Sequence, residues 1–94
     1  MTPEEVAESM LKRGSTEVTE FKDLKVGSRV RRSAEQWGEA YTKGTGTIER
    51  IFHKQNSSWE RKYGRPDVEL IVKRDDGEYS YLADYHVDLA EVQS

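Results

Sequence analysis

The sequence predicts a mainly β fold: a small five-stranded barrel preceded by one N-terminal α-helix. Three observations carry this expectation. Apolar residues recur at helical spacing only before Gly14. Beyond it, short runs rich in Val, Ile, Leu and Tyr are separated by glycine-bearing turns. Two long polar stretches, Ser33 to Gly44 and Gln55 to Pro66, separate the early strands. A chain of 94 residues makes one domain, read as a helix over residues 1–14 and a barrel over 15–94. Closure removes the unpaired sheet edges that invite aggregation.

The helix is clearly punctuated. Thr2 suits the N-cap, Pro3 the first helical position, and Glu5 completes a capping box with Thr2. Val6, Ala7, Met10 and Leu11 form one apolar stripe. Lys12 and Arg13 favour the negative end of the helix dipole, and Gly14 supplies a left-handed stop. A helix of about three turns does not persist alone in water. Its stripe is therefore expected to dock on the rest of the domain or on a second copy, which would make a homodimer.

Ser15 to Phe21 reads as a short strand or an extended linker. Phe21 to Gly27 is expected to form a tight turn with Phe21, Leu24 and Val26 inward. Arg29 to Arg32 is the first barrel strand and Thr45 to Lys54 the second. Ile48 and Ile51 in that second strand are three apart, which breaks strict alternation and signals a bulge. Val68 to Arg74 is the most apolar strand, and Asp75-Asp76-Gly77 is a hairpin turn. Glu78 to Leu82 returns, Ala83-Asp84-Tyr85 turns, and His86 to Val92 closes the chain. Val30, Ile48, Ile51, Leu70, Val72 and Leu89 are the expected core.

Composition narrows the possibilities. Hydrophobic residues are 34% and charged residues 35% of the chain, so the core is small. The patterned apolar runs nevertheless set it apart from charge-rich disordered sequences. The absence of cysteine excludes disulfides and thiolate metal sites. No run approaches the ~20 apolar residues of a membrane span. The start, Met1-Thr2-Pro3-Glu4-Glu5, is acidic where a secretory signal is basic and then apolar. A cytoplasmic protein without membrane contact is expected.

The net charge of −3 conceals a segregation. Residues 1–20 carry five Glu against Lys12 and Arg13, a balance of −3. Residues 21–66 carry eleven Lys and Arg against five acids, +6, and residues 67–94 carry eight acids against Lys73 and Arg74, −6. A basic middle between acidic ends can produce a polar surface field, provided the fold does not interleave and cancel the segments.

Four stretches carry a resemblance. Val26-Gly27-Ser28-Arg29-Val30-Arg31 is followed by Gly44-Thr45-Gly46-Thr47-Ile48. The strand and hairpin Val68-Glu69-Leu70-Ile71-Val72-Lys73-Arg74-Asp75-Asp76-Gly77 come next. Tyr81-Leu82-Ala83-Asp84-Tyr85-His86-Val87-Asp88-Leu89 closes the series. Together they resemble SH3-like barrels of the Tudor, KOW and mind-bomb type across Phe21 to Val92. Leu82 stands where those families commonly have proline, and no Arg-Gly-x-x-Trp run follows Arg31. The resemblance implies a barrel and names no ligand.

The most suggestive side chains are the aromatics of the two long loops: Trp37 and Tyr41 in one, Trp59 and Tyr63 in the other. SH3-like barrels place recognition surfaces on such loops, and Trp and Tyr recur at binding hot spots. The plain alternative is a tryptophan folded back to plug the barrel end. Tyr79, Tyr81 and Tyr85 read as structural. Lys43, Arg61, Lys62 and Arg65 lie among the loop aromatics, with Arg31, Arg32 and Lys54 nearby in sequence. Stacking rings and phosphate-holding cations are the two parts of a single-strand nucleic-acid surface. The alternative is that these charges merely solvate the loops, and a pI near 5.4 is unlike many nucleic-acid binders.

Catalytic patterns are weak. Gly44-x-Gly46 lacks a third glycine, Glu49 standing in its place, and is not a dinucleotide fingerprint. His53 and His86 have no ligand motif around them, no nucleophile elbow is present, and Asp75-Asp76 belongs to a turn. The expectation is a non-catalytic module without metal or cofactor. It would contact nucleic acid, or a protein of the nucleic-acid machinery, through Trp37, Tyr41, Lys43, Trp59, Arg61, Lys62, Tyr63 and Arg65. The alternative is an adaptor holding a peptide segment of a partner protein in an aromatic groove, and a small enzyme is the third class.

Overall fold

Thr2 caps the first helix as its sequence dictates: its amide donates to Glu5 Oε1 at 3.1 Å, and the Glu5 amide donates to Thr2 Oγ1 at 3.2 Å. The computed structural model describes residues 2–33 and 44–90. Helix α1 spans Pro3–Lys12. Strands β1 (Thr16–Val18), β2 (Glu20–Phe21), β3 (Leu24–Lys25), β4 (Arg29–Arg32) and β5 (Gly46–His53) follow. A second helix, α2, spans Ser58–Tyr63 ahead of β6 (Val68–Arg74) and β7 (Tyr79–Ala83). A 3-10 turn over Asp84–His86 leads into β8 (Val87–Leu89).

The main sheet is antiparallel, runs β7-β6-β5-β4-β8, and has β1 as its sixth strand. This corrects the expected five-stranded SH3-like barrel and, with it, the Tudor, KOW and mind-bomb resemblance. The sheet is open: β7 and β8 end the path, and no pairing joins them among the described residues. β2 and β3 form a separate two-stranded sheet. Glycine turns and alternating apolar residues specify which strands are neighbours along the chain. They do not specify that the first and last strands of the path meet. An all-β barrel is also corrected by α2, which occupies the stretch expected to be a loop.

β5 organises the sheet. Its start pairs with β4, Arg29 opposite Thr47 and Val30 opposite Gly46, while its end pairs with β1, Val18 opposite Ile51 through Thr16 opposite His53. Between them the register against β6 shifts from Ile48 to Arg50, the expected bulge. The extra residue brings Ile48 and Ile51 to one face, and both are fully buried.

Two apolar clusters explain why β6 reads as an almost unbroken apolar run. Val68, Leu70 and Val72 join Val30, Ile48, Ile51, Leu82 and Val87 in the larger one. Ile71 points the other way and joins Phe52 under Ala7 and Met10 of α1. A strand covered on both faces needs apolar residues on both. The helix stripe thus docks on its own chain, with Leu11 left 45% exposed.

Two expected core positions differ. Leu89 is 42% exposed and Val87 takes its place at 7%, because only the first residue of the three-residue β8 reaches the core. Val26, just past β3, is 47% exposed, whereas Leu24 is buried and Phe21 packs against the core. No helix among the described residues is long and apolar enough to cross a membrane.

Candidate binding surface

Helix α2 is short, polar and held by its ends. The Ser57 hydroxyl accepts the Glu60 amide at 3.0 Å, and Glu60 Oε1 accepts the Asn56 amide at 3.3 Å. Gly64, with φ of 64°, ends the helix by donating its N–H to the Glu60 carbonyl at 2.8 Å. Glycine adopts that left-handed conformation without strain. These restraints set Trp59 and Tyr63, four residues apart, on one helix face.

Their rings meet at 5.1 Å between centroids with a 46° tilt. Trp59 also stacks on Tyr85 of the 3-10 turn, at 6.2 Å and 17°, and Tyr85 meets His86 edge-on at 4.3 Å. The Arg65 guanidinium carbon lies 4.7 Å from the Tyr85 centroid, and Lys62 Nζ lies 5.3 Å from that of Tyr63. Two segments far apart in sequence thus build one aromatic surface. Tyr63 is 54% exposed, and Trp59, Tyr85 and His86 are half-buried.

Charge is distributed unevenly around these rings. Arg61, Lys62 and Arg65 are exposed, and among the described residues none lies within ion-pair distance of a carboxylate. Glu60 turns inward, its Oε2 lying 3.9 Å from His53 Nε2. The His53 ring meets Phe21 edge-on at 5.1 Å. Asp84, before Tyr85, has its carboxyl pushed up by burial, against the pull of Lys22, of the Tyr85 and Asp84 amides and of His86. His53 Nε2 and Asp84 Oδ1 are buried without a hydrogen-bond partner.

Of the eight expected site residues, Trp59, Arg61, Lys62, Tyr63 and Arg65 come together on and just after α2. Trp37, Tyr41 and Lys43 lie outside the described residues. Tyr85, read as structural, is the ring that sequence reasoning missed at this surface. Nothing in Ala83-Asp84-Tyr85 shows that it folds back against Trp59. Of the other tyrosines read as structural, Tyr79 packs at the α1 cluster and its hydroxyl donates to Glu49 Oε1 at 3.1 Å, whereas Tyr81 is 41% exposed.

Apart from this surface, a cleft of about 280 Å³ lies between β4, β6 and β7 over Val30, Val72 and Leu82. Arg31, Arg32, Arg74, Asp75 and Asp76 line it, and part of this charge is paired. Arg74 meets Asp76 at 2.7 Å, and Asp75 accepts Arg29 through both carboxylate oxygens, at 2.8 and 2.5 Å. Among the described residues, no group of three or more His, Asp or Glu is placed to hold a metal ion. Comparison of the chain with known protein families, curated proteins and solved structures finds no match.

Proposed function

We propose that this chain is a non-catalytic adaptor that takes an extended segment of a partner protein on the surface formed by Trp59, Tyr63 and Tyr85. The observation that carries the proposal is the stacking of Trp59 on Tyr85 beside an exposed Tyr63. Large, rigid, partly exposed rings offer contact area at low entropic cost and dominate the energetics of interfaces. Nucleic acid fits less well. Base stacking needs free ring faces, and Tyr85 already engages Trp59, His86 and Arg65.

The test is selection of binders from a random library of extended peptides, followed by titration of one selected peptide. Trp59→Ala should weaken its binding by roughly 30-fold or more, the scale of a hot-spot residue, with the circular dichroism unchanged. Equal affinity of the two proteins would show that the aromatic surface is not where peptides bind.

A further inference from the structure

Resting on that proposal, we infer that the partner segment is acidic, carrying Asp or Glu beside an apolar side chain that packs on Tyr63 and Trp59. The inference comes from the cations that the aromatic surface itself carries. Arg29 is closed by Asp75, Arg50 by Glu17 at 2.7 Å, and Arg74 by Asp76. Arg61, Lys62 and Arg65 have no carboxylate partner among the described residues, and neither do other exposed cations, Arg31 and Lys73 among them. Lys62 and Arg65 differ in lying against the aromatic rings of this surface, with Arg61 exposed on the same short helix as Lys62.

Two of these cations are already positioned. Arg65 rests against Tyr85 and Lys62 against Tyr63, so part of the entropy of holding them is lost before any ligand arrives. A guanidinium presents its donors as a planar fork that matches a carboxylate. A cationic ligand meets the opposite situation: the ring faces that would attract it carry the protein's own cations, and Arg61 adds repulsion. Nucleic acid shares the charge preference for this patch. It also requires free stacking faces, and the Tyr85 ring is already engaged by Trp59, His86 and Arg65. A peptide needs only ring edges and one exposed face.

The experiment uses the full chain and three fluorescein-labelled probes. One is a peptide with glutamates around a central leucine-phenylalanine pair, one is its glutamine-for-glutamate counterpart, and one is an oligothymidylate. Anisotropy titrations are run at about 0.01 M and about 1 M salt, where the screening length falls from ~30 to ~3 Å. The acidic peptide should bind at least about tenfold tighter than the glutamine peptide at low salt, with the gap closing at high salt. The triple variant Arg61→Glu, Lys62→Glu, Arg65→Glu should abolish that preference and leave the circular dichroism unchanged.

Equal binding of the two peptides, with loss of both in Trp59→Ala, would overturn the acidic partner and leave the aromatic peptide site standing. Binding that Trp59→Ala does not weaken would overturn the site itself. Failure of both peptides to bind would overturn the inference, and tighter binding of oligothymidylate than of the acidic peptide would replace it with a nucleic-acid ligand.

Discussion

At Gly46 the β5 backbone passes so close to β6 that an added Cβ would lie 2.7 Å from Val72 Cγ1 and 2.9 Å from the Lys73 carbonyl oxygen. The first contact could relax by a rotamer change. The second is to backbone, and relieving it means moving the β5–β6 ladder. Gly46→Ala should therefore cost on the order of 1–3 kcal/mol, the range for overpacked sites, read from the urea midpoint. A midpoint unchanged from the parent would mean that the strands separate freely there. The demand for glycine was not legible in the sequence, where Gly46 was one of two glycines at a strand entry. Buried aliphatics were more legible. Val30, Ile48, Ile51, Leu70 and Val72 sit in patterned runs and are all 3% exposed or less, whereas Leu89 falls at a strand end where alternation no longer decides burial.

Helix α1 and helix α2 differ in how much of each element the chain announces. For α1 the cap, the first-turn proline and the apolar stripe all agree, and the stripe buries Ala7 and Met10 over Phe52 and Ile71. For α2 only the ends speak: Ser57 three residues before Glu60, and Gly64 after the last turn. None of its six residues is buried, so no stripe exists for the eye to follow. That is why the stretch read as a loop, and why the face it shares with Tyr85 went unseen. The α1 contact can be tested directly. Met10 is 2% exposed, and Met10→Ala should cost roughly 2–5 kcal/mol in urea unfolding, as for other large-to-small core changes. A loss below about 0.5 kcal/mol, the scale of surface substitutions, would mean that α1 contributes little to holding the sheet.

Across the whole molecule, folding undoes much of the charge segregation along the sequence. The basic middle sends Arg50 to Glu17 in the acidic start and Arg29 to Asp75 in the acidic end, while Arg61 and Lys62 of α2 and Arg65 just beyond it stay open. Which segments interleave follows from sheet order, and neither that order nor the failure of β7 and β8 to meet is encoded in local pattern. The same pairing sets how stability responds to acid. Arg29 and Thr45 hydrogen bonds hold the Asp75 carboxyl at about 2, down from 3.8, and Asp76 and Glu17 are lowered by their own arginines. A lowered carboxyl stabilises the fold fully above its ordinary range, and this contribution is lost as pH falls toward the folded value. Asp84 has the opposite sign: burial raises it, so the fold is favoured while it is protonated and penalised once pH rises through its folded value. Thermal midpoints measured between about pH 2 and 8 should separate the two kinds of carboxylate. Arg29→Gln should flatten the acid limb by returning Asp75 toward its ordinary value. Asp84→Asn keeps the shape and an oxygen to accept the local amides while removing the buried charge. It should raise the midpoint at neutral pH and leave it nearly unchanged near pH 3. A lower neutral midpoint in Asp84→Asn would mean that attraction to Lys22 and His86 outweighs the cost of burial, reversing the sign assigned to this carboxylate.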